Sequence, residues 1–393
     1  MHIAWIGKKS PPCGNVTYSR EITNALLDRG YQVSFLHFAQ DAFDEETGKP
    51  LPIHEPPVPL ECQEVPLPFL YKSQVYTIPT LKSSKVLAES LRNLKPDLVH
   101  ASLTLSPLDF VLPEICQELQ VPLVATFHPP FSHKHRNLSS GTQHFMYQLY
   151  APSLANYDAV IIFSQAQRDL LMRLGVPEAK IVIIPNGVDT DKYSPGPSTF
   201  KAELQTERIF VYQGRIAIEK NVESLLKAWK QVQRQMPVHS KLVMVGDGPL
   251  LNAHMTNYGP EQNVLWLGAI YDEHRRIEIL RGADVFILPS FVEGLSLSLL
   301  EAMSCGVACL ATDAGADGEV LAGGAGIVLN PQRTRGELRT LLPVLAEHPE
   351  MVKLLGQKGR QRVLERYCLD RNLGQLEKFY AQIFQQTKVE VYR

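Results

Sequence analysis

The sequence predicts an α/β fold made of two doubly wound, parallel-sheet domains facing a cleft. Three observations carry this reading. The chain has 393 residues, long for one hydrophobic core and suited to two domains of about 150–200 residues. Short apolar runs alternate with helical patterns, the mark of βαβ units and a parallel sheet. That alternation runs to completion twice.

In the first half the predicted strands are 2–6, 32–37, 98–101, 123–126, 159–163 and 181–184, the last closed by Pro185, Asn186 and Gly187. The second half begins its own series at 209–213 and continues with 241–245, 264–267, 285–288, 308–311 and 326–328. Helical stretches between these strands include 224–234 and 297–304. Residues 189–200, with Pro195, Gly196 and Pro197, read as the linker, giving domains 1–190 and 191–393. The chain reads as helical from 357 to 385, and its 365–385 part is expected to cross back onto the N-terminal domain. Ligands of open parallel sheets sit beyond the carboxyl ends of the strands, so the expected site lies where two such domains face each other.

Composition narrows the function classes. Hydrophobic residues make up 45% and charged residues 20%, ordinary for a globular protein. A formal charge of −2 speaks against a nucleic-acid binder, which needs a basic face. Six cysteines with no CxxC pair fit a reducing cytosol better than a disulfide scaffold. The N-terminus reads as a first buried strand rather than a signal peptide, and no stretch approaches the roughly 20 apolar residues of a spanning helix. The expected location is cytoplasmic, with any membrane contact peripheral.

Four segments at predicted strand ends carry the chemistry. Gln213-Gly214-Arg215 is followed by Glu219-Lys220-Asn221. Arg215 offers a planar fork for phosphate oxygens and Lys220 a compact charge, which together neutralise a departing diphosphate. The bland alternative for this segment alone is two solvated cations on a loop. The second segment runs from Glu293 through Gly294, Leu295 and Ser296 to Glu301. Glycine permits close backbone approach, and a helix starting near Ser296 aims its amides at an anion. Gly14 and Asn15 follow the first strand, where a turn brings backbone amides against a sugar or acceptor. His128 ends another strand, placed to hydrogen-bond a transferred sugar, with a purely structural histidine as the alternative.

These segments resemble the GT-B fold and, within it, the retaining glycosyltransferase family four. The resemblance is strongest over 207–367 and covers nearly the whole chain. It implies two Rossmann-like domains, an N-terminal acceptor domain and a C-terminal nucleotide-sugar donor domain. The family's E-x7-E motif falls on Glu293 and Glu301, implying that the first contacts donor sugar hydroxyls and the second the nucleotide ribose. The amides of Leu295 and Ser296 are implied to hold the diphosphate, Arg215 and Lys220 to neutralise it, and Gly14, Asn15 and Gly214 to lie along the donor. His128 matches the family's N-terminal-domain histidine. Met244–Pro249 and Pro185–Tyr193 are also typical family stretches. Two features depart: Asn15 stands where a second glycine is usual, and the closing 366–372 segment lacks the usual aromatic pattern.

The resemblance implies transfer with retention. The residues supply leaving-group stabilisation rather than a nucleophile–acid carboxylate pair, which favours an oxocarbenium-like sugar attacked on the face the leaving group vacates. No metal and no cofactor are expected. Asp189-Thr190-Asp191 sits where a turn role is favoured over metal binding, and His133 and His135 lack a suitably spaced third ligand.

The acceptor reading rests on an aromatic and basic region with Phe69, Leu70, Tyr71, Lys72, Tyr76, Lys82, Lys85, Arg92 and Lys95, and on the basic stretch 131–136. Such a surface suits an anionic bilayer, with a solvated helix and its loop as the alternative. Residues 7–18 and 24–40 are similar to cyanobacterial digalactosyldiacylglycerol synthases of the DgdA type. That similarity implies transfer of galactose from UDP-galactose to a membrane glycolipid, monogalactosyldiacylglycerol; the wider reading is a hexose from UDP-galactose or UDP-glucose moved to an acceptor hydroxyl. Alternatives are a soluble sugar or polysaccharide acceptor, a GT-B-shaped epimerase, and a non-catalytic nucleotide-sugar-binding protein.

Overall fold

The computed structural model describes residues 1–10, 13–39, 62–73, 76–131 and 138–391. They group into two compact units. The first takes described residues of Met1–Pro129 and His144–Ile184 together with those from Leu373 onward; the second takes those of Pro130–Gln143 and Pro185–Asn372.

The strands of the first unit are β1 (His2–Gly7), β2 (Gln32–Phe38), β3 (Gln63–Leu67), β4 (Phe69–Lys72), β5 (Thr77–Pro79), β6 (Leu98–Ser102), β7 (Leu123–Thr126), β8 (Ala159–Ile162) and β9 (Ile181–Ile183). Seven of them form a sheet in the order β3-β2-β1-β6-β7-β8-β9, parallel throughout. β4 and β5 pair separately as an antiparallel hairpin. Every residue of β6, β7 and β8 is buried, which is why these strands read as unbroken runs rather than alternating ones. The helices between strands are α1 (Gly14–Asp28), α2 (Ser83–Leu94), α3 (Leu108–Leu119), α4 (Leu138–Leu154), which belongs to this unit from His144 onward, and α5 (Gln165–Arg173).

The second unit carries β10 (Arg208–Gln213), β11 (Ser240–Val245), β12 (Val264–Gly268), β13 (Val285–Leu288), β14 (Ala308–Thr312) and β15 (Ile327–Leu329), in the order β12-β11-β10-β13-β14-β15 and again parallel. Its helices are α6 (Phe200–Leu204), α7 (Val222–Val232), α8 (Leu251–Asn257), α9 (Glu273–Gly282), α10 (Leu297–Ser304), α11 (Asp317–Val320), α12 (Thr334–Glu347) and α13 (Pro349–Arg366). Helix α7 shows how pattern becomes packing. Val222, Leu225, Leu226, Trp229 and Val232 fall on one face and are buried. The Trp229 ring lies 5.3 Å from that of Phe210 in β10, and truncating so buried an indole costs about 3–5 kcal/mol.

Both units are therefore doubly wound and Rossmann-like, each with one position where strand order reverses. In the first it lies beside β1, whose neighbours are β2 and β6; in the second beside β10, between β11 and β13. Ligand sites of such sheets form at these reversals.

Twelve expected strands occur, with ends shifted by a residue or two. The sequence reading lacked β3 and the β4–β5 hairpin. β3 carries Pro66 and is largely exposed, the composition of an edge strand, which periodicity does not reveal. The continuous helix expected from 357 is instead broken. α13 stops at Arg366 and α14 (Leu369–Val391) begins afresh, because Tyr367 and Leu369 exchange backbone hydrogen bonds with Val188 at 2.8 and 2.9 Å. Within α14, Tyr380 bonds His100 and Glu377 pairs with Arg29, both partners lying in the first unit.

Candidate active site

In the second unit, β10 delivers Gln213 and Gly214 to the strand-order reversal. The Gly214 amide donates to Val245 at 3.0 Å and that of Ile216 to Asp247 at 2.9 Å, so the loops after β10 and β11 lie against each other. The fit is close: Gly246 has a φ of +136°, and a Cβ there would stand 1.9 Å from the Gly214 carbonyl oxygen. Arg215 projects with its side chain 42% exposed and meets Glu219 at 3.4 Å. A 3-10 turn, Ile218–Lys220, then directs Lys220 inward.

Lys220 Nζ donates to Glu293 Oε1 at 2.6 Å, and the Ser290 hydroxyl donates to the same oxygen at 2.7 Å. Backbone bonds set this pair: Phe291 N donates to the Glu219 carbonyl at 2.8 Å, and Asn221 Nδ2 to that of Pro289 at 3.0 Å. Burial opposes the charge of Lys220, but the Glu293 carboxylate, through its charge and its hydrogen bond, outweighs it and raises its pKa. An ammonium that stays charged beside a buried carboxylate is a preformed cation for a phosphate.

Helix α10 starts as the sequence indicated. Ser296 caps it, its hydroxyl accepting from Leu299 N at 3.4 Å. Glu301, a turn into the helix, receives Gln213 Nε2 at 2.9 Å and so faces the end of β10. Glu293 and Glu301 thus serve opposite ends of one unit, one engaging Lys220 and the other Gln213. Gly294 accepts from Ala316 N at 2.7 Å, and Leu295 is buried with its carbonyl accepting from Asn186 Nδ2 at 3.4 Å. The Ser296 amide, expected to face an anion, already donates to Asp317 Oδ1 at 3.0 Å.

The first unit places Gly14, Asn15 and His128 at the ends of β1 and β7. Gly14 is the first residue of α1, and a Cβ there would meet nothing within 4 Å. Asn15 turns inward: its Nδ2 donates to the Leu103 carbonyl at 3.0 Å, and its Oδ1 accepts from Ser102 at 2.9 Å. Ser102 Oγ lies 2.8 Å from His128 Nε2. With the serine proton given to Asn15, His128 donates from Nε2 and keeps Nδ1 as an acceptor. Burial, with the Lys8 charge adding to it, lowers the His128 pKa to about 3.

Behind it lies a second imidazole. His100 Nε2 meets Thr126 Oγ1 at 2.7 Å and Nδ1 meets Tyr380 Oη at 2.5 Å, while the ring stacks on Trp5 at 4.1 Å. Burial first, and then His128, lowers its pKa to about 3. Tyr18 joins the two, bonding Thr126 at 3.2 Å and setting its ring edge-on to His128 at 4.8 Å.

The structure thus brings Lys220, Glu293 and Ser296 together with Asp317, gathers Asn15 and His128 around Ser102, and leaves Arg215 exposed on its loop and Gly14 exposed at the first position of α1. Sequence reasoning missed Ser102, Ser290, His100, Tyr380 and Asp317. A polar residue closing an apolar strand signals Ser102; Asp317 in a glycine-rich turn reads as a surface cap and gives no such signal. Lys8 was also missed. It is 3% exposed beside Asp109 and Cys13, donates to the Ser73 carbonyl at 3.4 Å, and has its pKa lowered chiefly by burial.

Asp189 makes a turn, its Oδ1 accepting from the amides of Asp191 and Lys192 at 3.0 Å each. Among the described residues no group of three potential ligands is placed to hold a metal. His133 and His135 lie outside the described residues. In the aromatic–basic region, Leu70, Tyr71, Tyr76, Ile78 and Leu81 are exposed. Lys72 is drawn in, donating to Ser10 at 2.6 Å and to the Phe38 carbonyl at 2.9 Å. No helix among the described residues is long and apolar enough to cross a membrane.

Residues 13–192 match the family model Glycosyltransferase Family 4, and residues 198–362 match Glycosyl transferases group 1. The chain belongs to this glycosyltransferase group. Among solved structures, Anabaena HepE in complex with UDP superposes with a TM-score of 0.76 at 18% identity, over 97% of this chain and all of that one. Sucrose-phosphate synthase from Thermosynechococcus elongatus gives 0.75 at 21% identity, over 98% and 99%. These likenesses establish the GT-B fold. Of curated relatives, the Escherichia coli UDP-Gal:alpha-D-GlcNAc-diphosphoundecaprenol alpha-1,3-galactosyltransferase is 32% identical over 167 residues, 39% of this chain and 42% of that one. Alpha-maltose-1-phosphate synthase of Mycolicibacterium smegmatis is 28% identical over 60% of this chain and 63% of its own length. The chain therefore spans less than two thirds of the curated relatives it matches.

Proposed function

We propose that this protein is a retaining glycosyltransferase that moves a hexose from a nucleotide sugar, UDP-galactose or UDP-glucose, to an acceptor hydroxyl. The observation that carries the reading is the charged, hydrogen-bonded Lys220–Glu293 pair at the strand-order reversal, next to the start of α10. Lys220 and Arg215 neutralise the diphosphate as the bond from the anomeric carbon to its oxygen breaks and the electron pair leaves with the phosphate. Glu293 orients sugar hydroxyls and Glu301 the ribose. The acceptor hydroxyl attacks the oxocarbenium-like carbon on the face the leaving group vacates, passing its proton to the departing phosphate oxygen. His128, neutral at working pH, hydrogen-bonds the sugar through Nδ1. No metal takes part: Lys220, Arg215 and the amides of α10 supply the positive potential.

The acceptor is a membrane glycolipid, with monogalactosyldiacylglycerol the first candidate. Support comes from the exposed Leu70, Tyr71, Tyr76, Ile78 and Leu81, from the exposed Lys85 and Arg92 of α2, and from the E. coli relative, whose name specifies a polyprenyl-linked sugar acceptor. UDP release with UDP-galactose and UDP-glucose, measured against galactolipid vesicles, polyprenyl-diphosphate sugars, soluble sugars and no acceptor, tests the proposal. Transfer to soluble sugars alone defeats the lipid acceptor. No release with any acceptor defeats the transferase, and a product of inverted anomeric configuration defeats retention. Activity abolished by a chelator and restored by manganese defeats metal independence.

A further inference from the structure

The loop after β14 straps the turn that carries Glu293. Ala316 N donates to the Gly294 carbonyl at 2.7 Å, the Thr312 hydroxyl donates to the Ser290 carbonyl, and Ser296 N donates to Asp317 Oδ1 at 3.0 Å. Gly315, at a φ of +57°, lies so close that a Cβ would stand 2.1 Å from the Glu293 carbonyl oxygen. This strap presses a carboxyl group, 1% exposed, into a region that already holds a buried glutamate.

We propose that Asp317 is a positioning residue of the donor site: its carboxyl group fixes the Ser296 amide at the mouth of α10 and stands in reserve as a hydrogen-bond donor for Glu293. The inference rests on the donor reading given above and deepens it. A mere cap would bond the amides of its own short helix α11, whereas Asp317 reaches across to the start of α10. Its other oxygen, Oδ2, is buried without a hydrogen-bond partner. That is a costly arrangement for a residue kept only to hold a turn.

Burial chiefly, and then Glu293, raises the Asp317 pKa well above its ordinary value, which favours the protonated carboxyl. Oδ1 accepts from Ser296, which leaves the proton on Oδ2. When a diphosphate draws Lys220 away from Glu293, that glutamate loses the ammonium now held 2.6 Å from it. A neutral carboxyl nearby meets the lost bond by donating from Oδ2. Asparagine has the same shape, an accepting oxygen and a donating amide, and should replace it; alanine has neither.

The test compares Asp317→Asn and Asp317→Ala for UDP affinity by calorimetry and for donor KM and kcat, with folding checked by circular dichroism. Asp317→Asn is expected to stay within about three-fold of wild type in all three. Asp317→Ala is expected to raise the UDP dissociation constant and donor KM at least ten-fold, about 1.4 kcal/mol, with a smaller change in kcat. Equal, near-wild-type affinity in both variants overturns the inference, as does an equal large loss in both. Where Asp317→Ala does not fold, a folded Asp317→Asn decides: preserved affinity supports the inference and a ten-fold loss overturns it. Wild-type protein that binds no UDP sinks the donor reading and this inference with it, whereas wild-type binding matched by Asp317→Ala sinks this inference alone.

Discussion

The two units share one topology and differ in electrostatics at the same place. At the end of β10 the second unit sets a charged pair, Lys220 and Glu293, with Arg215 exposed nearby. Beyond the Lys8 that follows β1, the first unit sets neutral groups at the ends of β6 and β7: two imidazoles held uncharged, joined through Thr126, Tyr18, Ser102 and Asn15. The scaffold alone fixes neither pattern. A parallel sheet opens a reversal point, and the side chains at its edge decide whether that point suits a diphosphate or an uncharged sugar.

The sharpest way to break this contrast is Lys220→Met. Loss of one charge-stabilising group should lower kcat about 10²–10³-fold, while the same change at Arg215, an exposed side chain, lowers turnover without moving the melting temperature. Lys220→Met also leaves Glu293 buried beside no cation, so thermal unfolding should reveal a loss of several kcal/mol, on the order of 3. Unchanged turnover in both variants would remove the charged half of the comparison.

The neutral half is tested by pH. The unfolded chain protonates histidine near 6.5, whereas His100 and His128 resist until about 3. Folded stability is therefore whole above about 6.5 and falls with decreasing pH, by about 1.4 kcal/mol per pH unit for each ring. Asp109 works in the opposite sense. Burial raises its pKa to about 6, so the folded state holds that proton first and its share is lost as pH rises from 3.8 toward 6. Because these slopes oppose, the cleaner measurement is NMR of the rings themselves, and both should keep neutral-imidazole shifts at pH 5. A ring titrating near 6 would erase the difference between the units.

Gly315→Ala sharpens the geometric side. A Cβ forced against the Glu293 carbonyl should cost about 1–3 kcal/mol in chemical denaturation and weaken UDP binding. The smallest expected effect belongs to the first unit. Tyr380→Phe removes one hydrogen bond to His100 and should cost about 1 kcal/mol, with donor KM unchanged. A shift in donor KM would show that the neutral network also governs the donor.

Much of the fold was legible because strand and helix periods are local. The start of α10 was visible in Ser296 followed by an apolar run, and Glu293 and Glu301 flank it at fixed spacing. β3 was not, because an exposed, proline-bearing edge strand has no alternation to read. The break at Tyr367 and Cys368 was hidden as well, since it depends on Val188, far away in the chain.

What the sequence alone determined, then, is the pair of parallel-sheet series and which residue types stand at their strand ends, because neighbouring residues set backbone preference and amphipathic period. Tertiary structure decided which of those residues meet: Lys220 with Glu293, Ser296 with Asp317, His100 with Tyr380 across 280 positions. Charge state, tautomer and hydrogen-bond commitment follow from desolvation and from partners brought by the fold, and no local pattern encodes them.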